Sequence, residues 1–240
     1  MKIESIYLNG TYHQHHPSWD EEDGAWKARN VKRLFERNGL NPRTLIDVGC
    51  GAGGVLAELS NYDPGLSLVG YDVSPQLKDF WHSKPSHIEF FLADFATHNR
   101  RGYDALLMLD VFEHVRDPAT FLETARGHAE YYVFHVPLDL SAQTIIRGAP
   151  LRSARKNLGH LSFYTMDTAL MLLEDCGYDI IDWYYTDAHK LSRGKNVFSR
   201  LASLLRVILQ TSESDLMVRI FGGQTIMVLC KQSHNSRGES

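Results

Sequence analysis

"TLIDVGCGAGGVLAELS", residues 44–60, is the stretch whose reading decides the fold. A short apolar run, Leu45 to Val48, enters a cluster of glycines and leaves as an Ala/Leu-rich segment. That order reads as strand, tight turn and helix. Glycines in such a turn remove Cβ, permit positive φ and let a ligand lie against the backbone. Gly49, Gly51 and Gly54 satisfy G-x-G-x-x-G, while Asp47, Gly49, Gly51 and Gly53 satisfy D-x-G-x-G-x-G. The turn therefore fits two ligand classes, and the rest of the chain has to choose between them.

Working outward, similar apolar runs recur with helical segments between them. "TLIDVG", "LSLVGYDV", "IEFFLADF", "YDALLMLD" and "EYYVFHVP" read as five strands. Helices are expected at Val55–Asn61, at Pro75–Ser83, near Asp117–His128 and at Met166–Cys176. Alternation of this kind predicts an α/β fold: a doubly wound, mostly parallel sheet with right-handed crossovers. Upstream, Ala28, Val31, Leu34 and Phe35 share one helical face, with Asp23 as the expected cap and Asn38-Gly39 as the stop. Downstream, "GYDIIDWYY" and "GGQTIMVLCKQ" are late strands without a full crossover pattern, so the last strand is expected to enter antiparallel. Residues 186–222 between them read as a helical insertion, and residues 233–240 as a disordered tail. Residues 1–240 are most simply a single domain.

A net charge of −4 argues against a general nucleic-acid coat. Cys50, Cys176 and Cys230 are far apart and odd in number, which suggests no disulfide framework and makes a reducing, cytoplasmic setting the expectation. The N-terminal residues lack an apolar signal core, and no run approaches the length of a membrane span.

A pyrophosphate would use the N–H groups at the helix start. S-adenosylmethionine has no phosphate, and its ammonium would favour a nearby acceptor. Asp72 ends the second strand, where a carboxylate accepts hydrogen bonds from both ribose hydroxyls of either ligand. Asp94 is placed to accept the adenine amino proton, and Phe95 to cover the base. "LMLDVFEHVRDP" puts Asp110, Glu113 and His114 just past the crevice edge, with Leu109 as apolar wall.

These four motifs in order resemble the class I S-adenosylmethionine-dependent methyltransferases, closest to the ubiquinone-type and small-molecule group with E-H-V-x-D-P after the fourth strand. "GHLSFYTMDTALMLLEDCGYDIIDW" resembles that group's closing helix and strand. The resemblance covers residues 43–183 and resumes at 221–231. It implies a seven-stranded Rossmann-like sheet with an antiparallel last strand. It also implies that Gly49, Cys50 and Gly51 line the methionine portion and that Asp47 organises the turn near the ammonium. By the same resemblance Asp72 binds the ribose, Val73 packs near the adenine, Asp94 and Phe95 address the base, and Leu109 and Asp110 wall the sulfonium.

Methyl transfer from a sulfonium needs an in-line acceptor about 3 Å from the methyl carbon. A base that removes a hydroxyl proton adds about 10²–10⁴-fold. His114 is the first candidate, with His160 and His135 as alternatives. His13 to His16 lie on a terminal run and are not expected to hold a metal, so none is assigned. Residues 1–38 are expected to form a lid and a helix, with Tyr12, Trp19 and Trp26 over the site. Arg147, Arg152, Arg155 and Lys156 are candidates to grip an acidic acceptor. The apolar stripe within 197–210 has three readings: a cap over the acceptor pocket, a homodimer contact, or a peripheral membrane-surface helix suited to a lipid-linked acceptor. The expected function is transfer of a methyl group from S-adenosylmethionine to a small molecule, at oxygen. The rival readings are an NAD-dependent oxidoreductase and a non-catalytic S-adenosylmethionine-binding module.

Overall fold

The apolar runs become seven strands of one sheet in the computed structural model, which describes residues 5–8, 10–186 and 215–233. They are β1 (Thr44–Val48), β2 (Ser67–Asp72), β3 (Glu89–Leu92), β4 (Tyr103–Leu109), β5 (Ala129–Pro137), β6 (Tyr178–Thr186) and β7 (Thr225–Gln232). Their order is β3-β2-β1-β4-β5-β7-β6, and β7 runs antiparallel to both its neighbours while the others pair in parallel. The doubly wound sheet with an antiparallel last strand is therefore as expected. The order reverses between β1 and β4, which opens a crevice at the carboxyl ends of these strands.

The central strands read as continuous apolar runs because both their faces are covered. In β4, Leu106 and Met108 face one core layer, with Ile46 and Val48 of β1. Ala105, Leu107 and Leu109 face the other, with Ala28, Val31, Leu34 and Phe35 of the Gly24–Arg37 helix. That helix matches the expected stripe. Its start differs: the Asp23 side chain makes no capping hydrogen bond, because a 3₁₀ turn over Glu21–Asp23 already has the chain in helical geometry.

The Gly24–Arg37 helix also explains Gly54. A Cβ on Gly24 would lie 2.7 Å from the Gly54 carbonyl carbon, so the two helices meet backbone to backbone. Gly54 thus serves helix packing. Segment 117–128 forms a helix at Pro118–Ala125, capped by Asp117 accepting from Thr120 N at 3.0 Å. Residues 142–158, where no helix was expected, are helical: Ala142–Arg147 with a Ser141/Thr144 capping box, Ala149–Ser153, then a π-turn over Ala154–Leu158. The expectations for the stripe within 197–210 and for residues 234–240 fall outside the described residues. Of the 186–222 insertion, Asp215–Phe221 is helical. Among the described residues no helix is long and apolar enough to cross a membrane.

Candidate functional site

A cavity of about 560 Å³ opens at the crevice. Its floor is the glycine turn. The N–H groups of Gly49 and Cys50 both donate to the Tyr71 carbonyl, at 2.8 and 3.0 Å, which ties the turn to β2. Asp72 then locks it: one carboxylate oxygen accepts from Gly51 N at 3.1 Å, the other from Ser74 N at 3.0 Å. Burial pushes the Asp72 carboxyl above its usual range, and these backbone hydrogen bonds act against that rise. A Cβ on Gly51, whose φ is +53°, would meet nothing nearer than the Trp19 carbonyl at 4.0 Å. The space over Gly51 is a hollow, and the chain lies flat beneath it.

Asp47 sits under that hollow and is almost fully buried. Its Oδ1 has no hydrogen-bond partner among the described residues. Burial pushes its carboxyl up to about 7, Lys27 opposes the rise, and Asp72 adds to it. An unpartnered buried oxygen beside an open hollow fits a ligand ammonium. Ionised Asp47 holds such a group and protonated Asp47 does not. S-adenosylhomocysteine is therefore expected to bind about tenfold more weakly at pH 6 than at pH 8. Calorimetry across that range reads the slope, and Asp47→Asn is expected to flatten it.

Val73, Asp94, Phe95, Leu109 and Asp110 all line the cavity. Asp94 also spends one oxygen on Ala96 N, at 2.9 Å, capping the Phe95–His98 helix. Phe95 lines the cavity from a buried position, held edge-on by Tyr71 at 5.7 Å and His128 at 4.9 Å.

Asp110 does more than form a wall. Its φ is +61°, rare for a residue with a side chain. Its Oδ1 lies 2.6 Å from His135 Nδ1, and its Oδ2 lies 2.8 Å from Lys27 Nζ. His135 Nε2 meets the Thr186 hydroxyl at 3.1 Å and the Thr225 hydroxyl at 2.9 Å. His135, named as an alternative base, is corrected by this geometry: both ring nitrogens are already engaged, inside a buried network.

His114 and His160 face each other edge to face, with ring centres 4.8 Å apart. The Tyr7 hydroxyl donates to the Leu158 carbonyl at 3.0 Å and lies 2.8 Å from His114 Nδ1. The His114 ring also hydrogen-bonds to the Gly159 backbone, which favours its protonated form. Burial, helped by His160, pulls His114 down to about 3, so it is neutral at working pH. His160 Nδ1 donates to Asp139 Oδ2 at 2.5 Å, which leaves its Nε2 as an acceptor. Glu113 is fully buried beside them, and neither carboxylate oxygen has a hydrogen-bond partner among the described residues. One ligand atom each from Glu113, His114 and His160 fall within 4.8 Å of one another, a set able to hold a cation.

His13 to His16 form no such group. His13 Nδ1 accepts from Trp19 Nε1 at 3.0 Å, and His16 pairs with Asp20 at 3.3 Å. Tyr12, Trp19 and Trp26 do line the cavity. Arg147, Arg152, Arg155 and Lys156 do not; they are exposed on the helical segment, away from the cavity lining.

Sequence reasoning missed Tyr7, Lys27 and Asp139. Lys27 carried a signal, because it stands four residues before Val31, on the apolar face of its helix. Tyr7 and Asp139 lie in no motif. Their partners His114 and His160 are 107 and 21 residues away, so only the folded chain joins them.

A family model described as "Methyltransferase domain" matches residues 19–182. The ubiquinone biosynthesis O-methyltransferase of Nitrosomonas europaea is 32% identical over 93 residues, covering 36% of this chain and 39% of that protein. The match thus spans about two fifths of that curated relative's length. Among solved structures, the methyltransferase bound to the Trm112 activator of Haloferax volcanii aligns with a TM-score of 0.64 at 15% identity, covering 98% of this chain and 99% of that one. The plantazolicin methyltransferase BpumL, solved with S-adenosylhomocysteine and a substrate analogue, aligns with a TM-score of 0.61 at 16% identity, covering 96% and 93%. These likenesses support the fold.

Proposed function

The chain belongs to the methyltransferase-domain family, the class I S-adenosylmethionine-dependent enzymes, and from that premise we propose that it methylates a small-molecule hydroxyl. The observation that carries this reading is the hollow over Gly51, flanked by the locked Asp72 carboxylate and the unpartnered Asp47 oxygen. Asp72 would accept from the ribose hydroxyls, Asp47 from the ammonium and Asp94 from the adenine amino group, with Val73 and Leu109 as apolar walls. When bound, S-adenosylmethionine supplies an electrophilic methyl group on a sulfonium.

The chain's remaining work is to place the acceptor, exclude water and take a proton. Tyr7, Tyr12 and Trp19 pack in series at tilted angles over the cavity, with ring centres 4.8 and 4.9 Å apart, and act as the lid. Of the three histidines weighed as base, His160 has the best support. Its Nε2 is the acceptor, and the Asp139 carboxylate stabilises the imidazolium that forms when the proton is taken. His114, held neutral by burial, shapes the pocket around that nitrogen.

Calorimetry with S-adenosylmethionine, S-adenosylhomocysteine and NAD tests the cofactor. Micromolar binding of the first two and none of NAD is expected; preference for NAD would sink the reading. Transfer of labelled methyl to a metabolite extract tests turnover, and silence across broad extracts would favour a binding module.

A further inference from the structure

The wall of the cavity is acidic. Its lining residues include nine carboxylates and a single lysine, Lys27, which is already paired with Asp110. S-adenosylmethionine brings a net charge of about +1, and the floor residues Asp47 and Asp72 suffice to receive it. Glu113 lies on the Phe112–His114 turn, beside His160. Its position is costly: a buried carboxylate without a partner is among the least favourable groups a fold can carry. The segment around it is nevertheless well made. The Glu113 carbonyl accepts from Leu161 N at 2.7 Å and Ser162 N at 3.1 Å, so the backbone is pinned while the carboxylate is left bare.

Both Glu113 oxygens lack a hydrogen-bond partner among the described residues, and Oε1 lies 3.8 Å from His114 Nε2. The two bare carboxylate oxygens form a set that calls for a ligand with several donors and a positive charge. A protonated primary amine has three N–H donors and matches that set; a carboxylate or phosphate would meet repulsion there. The Tyr7 ring, 5.4 Å from the His114 ring, adds an aromatic flank suited to a cation.

We propose that the acceptor is a cationic small molecule, an amine that also carries a hydroxyl, and that Glu113 holds its ammonium. This rests on the methyl-transfer reading above. It replaces an acidic acceptor, since the basic side chains once expected to grip one lie outside the cavity.

The test uses the full chain with methyl-deuterated S-adenosylmethionine. A metabolite extract is split on ion exchangers into cationic, neutral and anionic pools, and deuterated products are read by mass spectrometry. Products are expected in the cationic pool, and Glu113→Gln is expected to cut them tenfold or more. The same substitution is expected to raise the melting midpoint of the free protein, because it removes a carboxyl that burial makes costly to keep ionisable, so loss of folding cannot mimic the effect. Products confined to the neutral or anionic pool would overturn the ammonium proposal and leave methyl transfer standing. Products in no pool would overturn both. Manganese alone is a second probe. If it binds the wild type, is lost with Glu113→Gln and is needed for transfer, the carboxylate serves a metal ion and the proposal falls.

Discussion

Asp110→Asn is expected to lower the folding free energy by about 3 kcal/mol and the melting midpoint by about 6–12 °C. The substitution spares the backbone, because asparagine tolerates the +61° φ at this position better than most residues. What it removes is charge. The Lys27 side chain is 17% exposed, and its Nζ sits 2.8 Å from Asp110 Oδ2. A neutral amide leaves that ammonium without its closest counter-ion, the situation that makes broken buried pairs expensive. The double variant Lys27→Met with Asp110→Asn is expected to recover most of the loss. The pH dependence follows from the direction of the shift. Burial works against ionisation of Asp110, yet His135 and Lys27 together hold its carboxyl well below the usual range. A carboxyl depressed in the folded state stabilises above its unfolded value of about 4, and that stabilisation fades as pH falls through the folded value. The gap between wild type and Asp110→Asn should therefore persist from about pH 5 to 8 and narrow below about pH 4. Melts followed by circular dichroism check both points. A midpoint within about 1 °C of wild type at pH 7 would mean that the pair stabilises nothing.

His160→Ala is expected to cut kcat by about 10²–10⁴-fold while leaving the S-adenosylhomocysteine affinity within about twofold. The separation is possible because His160 stands beside Glu113 and His114, on the loop after the π-turn, rather than on the glycine turn. Asp139→Asn should cost less, about 10-fold or more, since the imidazole stays in place and only its orienting carboxylate is lost. His114→Ala separates the two imidazoles. Burial holds His114 near 3, so it gains a proton only in strong acid, and its removal is expected to act on acceptor KM more than on kcat. Single-turnover rates with a saturating acceptor from the extract screen provide the measurement. If His114→Ala costs more in kcat than His160→Ala, the proton goes to His114 and the assignment of the base reverses.

Much of the site was legible because it is local. The strand-turn-helix around Gly49 to Gly54, the acid ending β2 and the Glu113-His114 pair after β4 are each contained in a few consecutive residues. Hydrophobic alternation fixes strands, glycine fixes the turn, and the rule that ligands lie at the carboxyl ends of a doubly wound sheet does the rest. The antiparallel β7 could be read in the same way, from a missing crossover helix. The helical segment at 142–158 could not, because its glycine, proline and basic residues look like a loop until helix 215–221 packs beside it.

By itself, then, the sequence determined the sheet, the turn and the acids that line the cavity at the strand ends, since each depends on periodicity or on conformations only certain residues adopt. The tertiary structure alone decided which titratable groups are engaged. It spent His135 on Asp110 and two threonines, buried Lys27 as a counter-ion, paired His160 with Asp139, and left Glu113 bare. The physical reason is that protonation and hydrogen bonding depend on neighbours in space, and these come from strands and loops that spacing along the chain does not bring together.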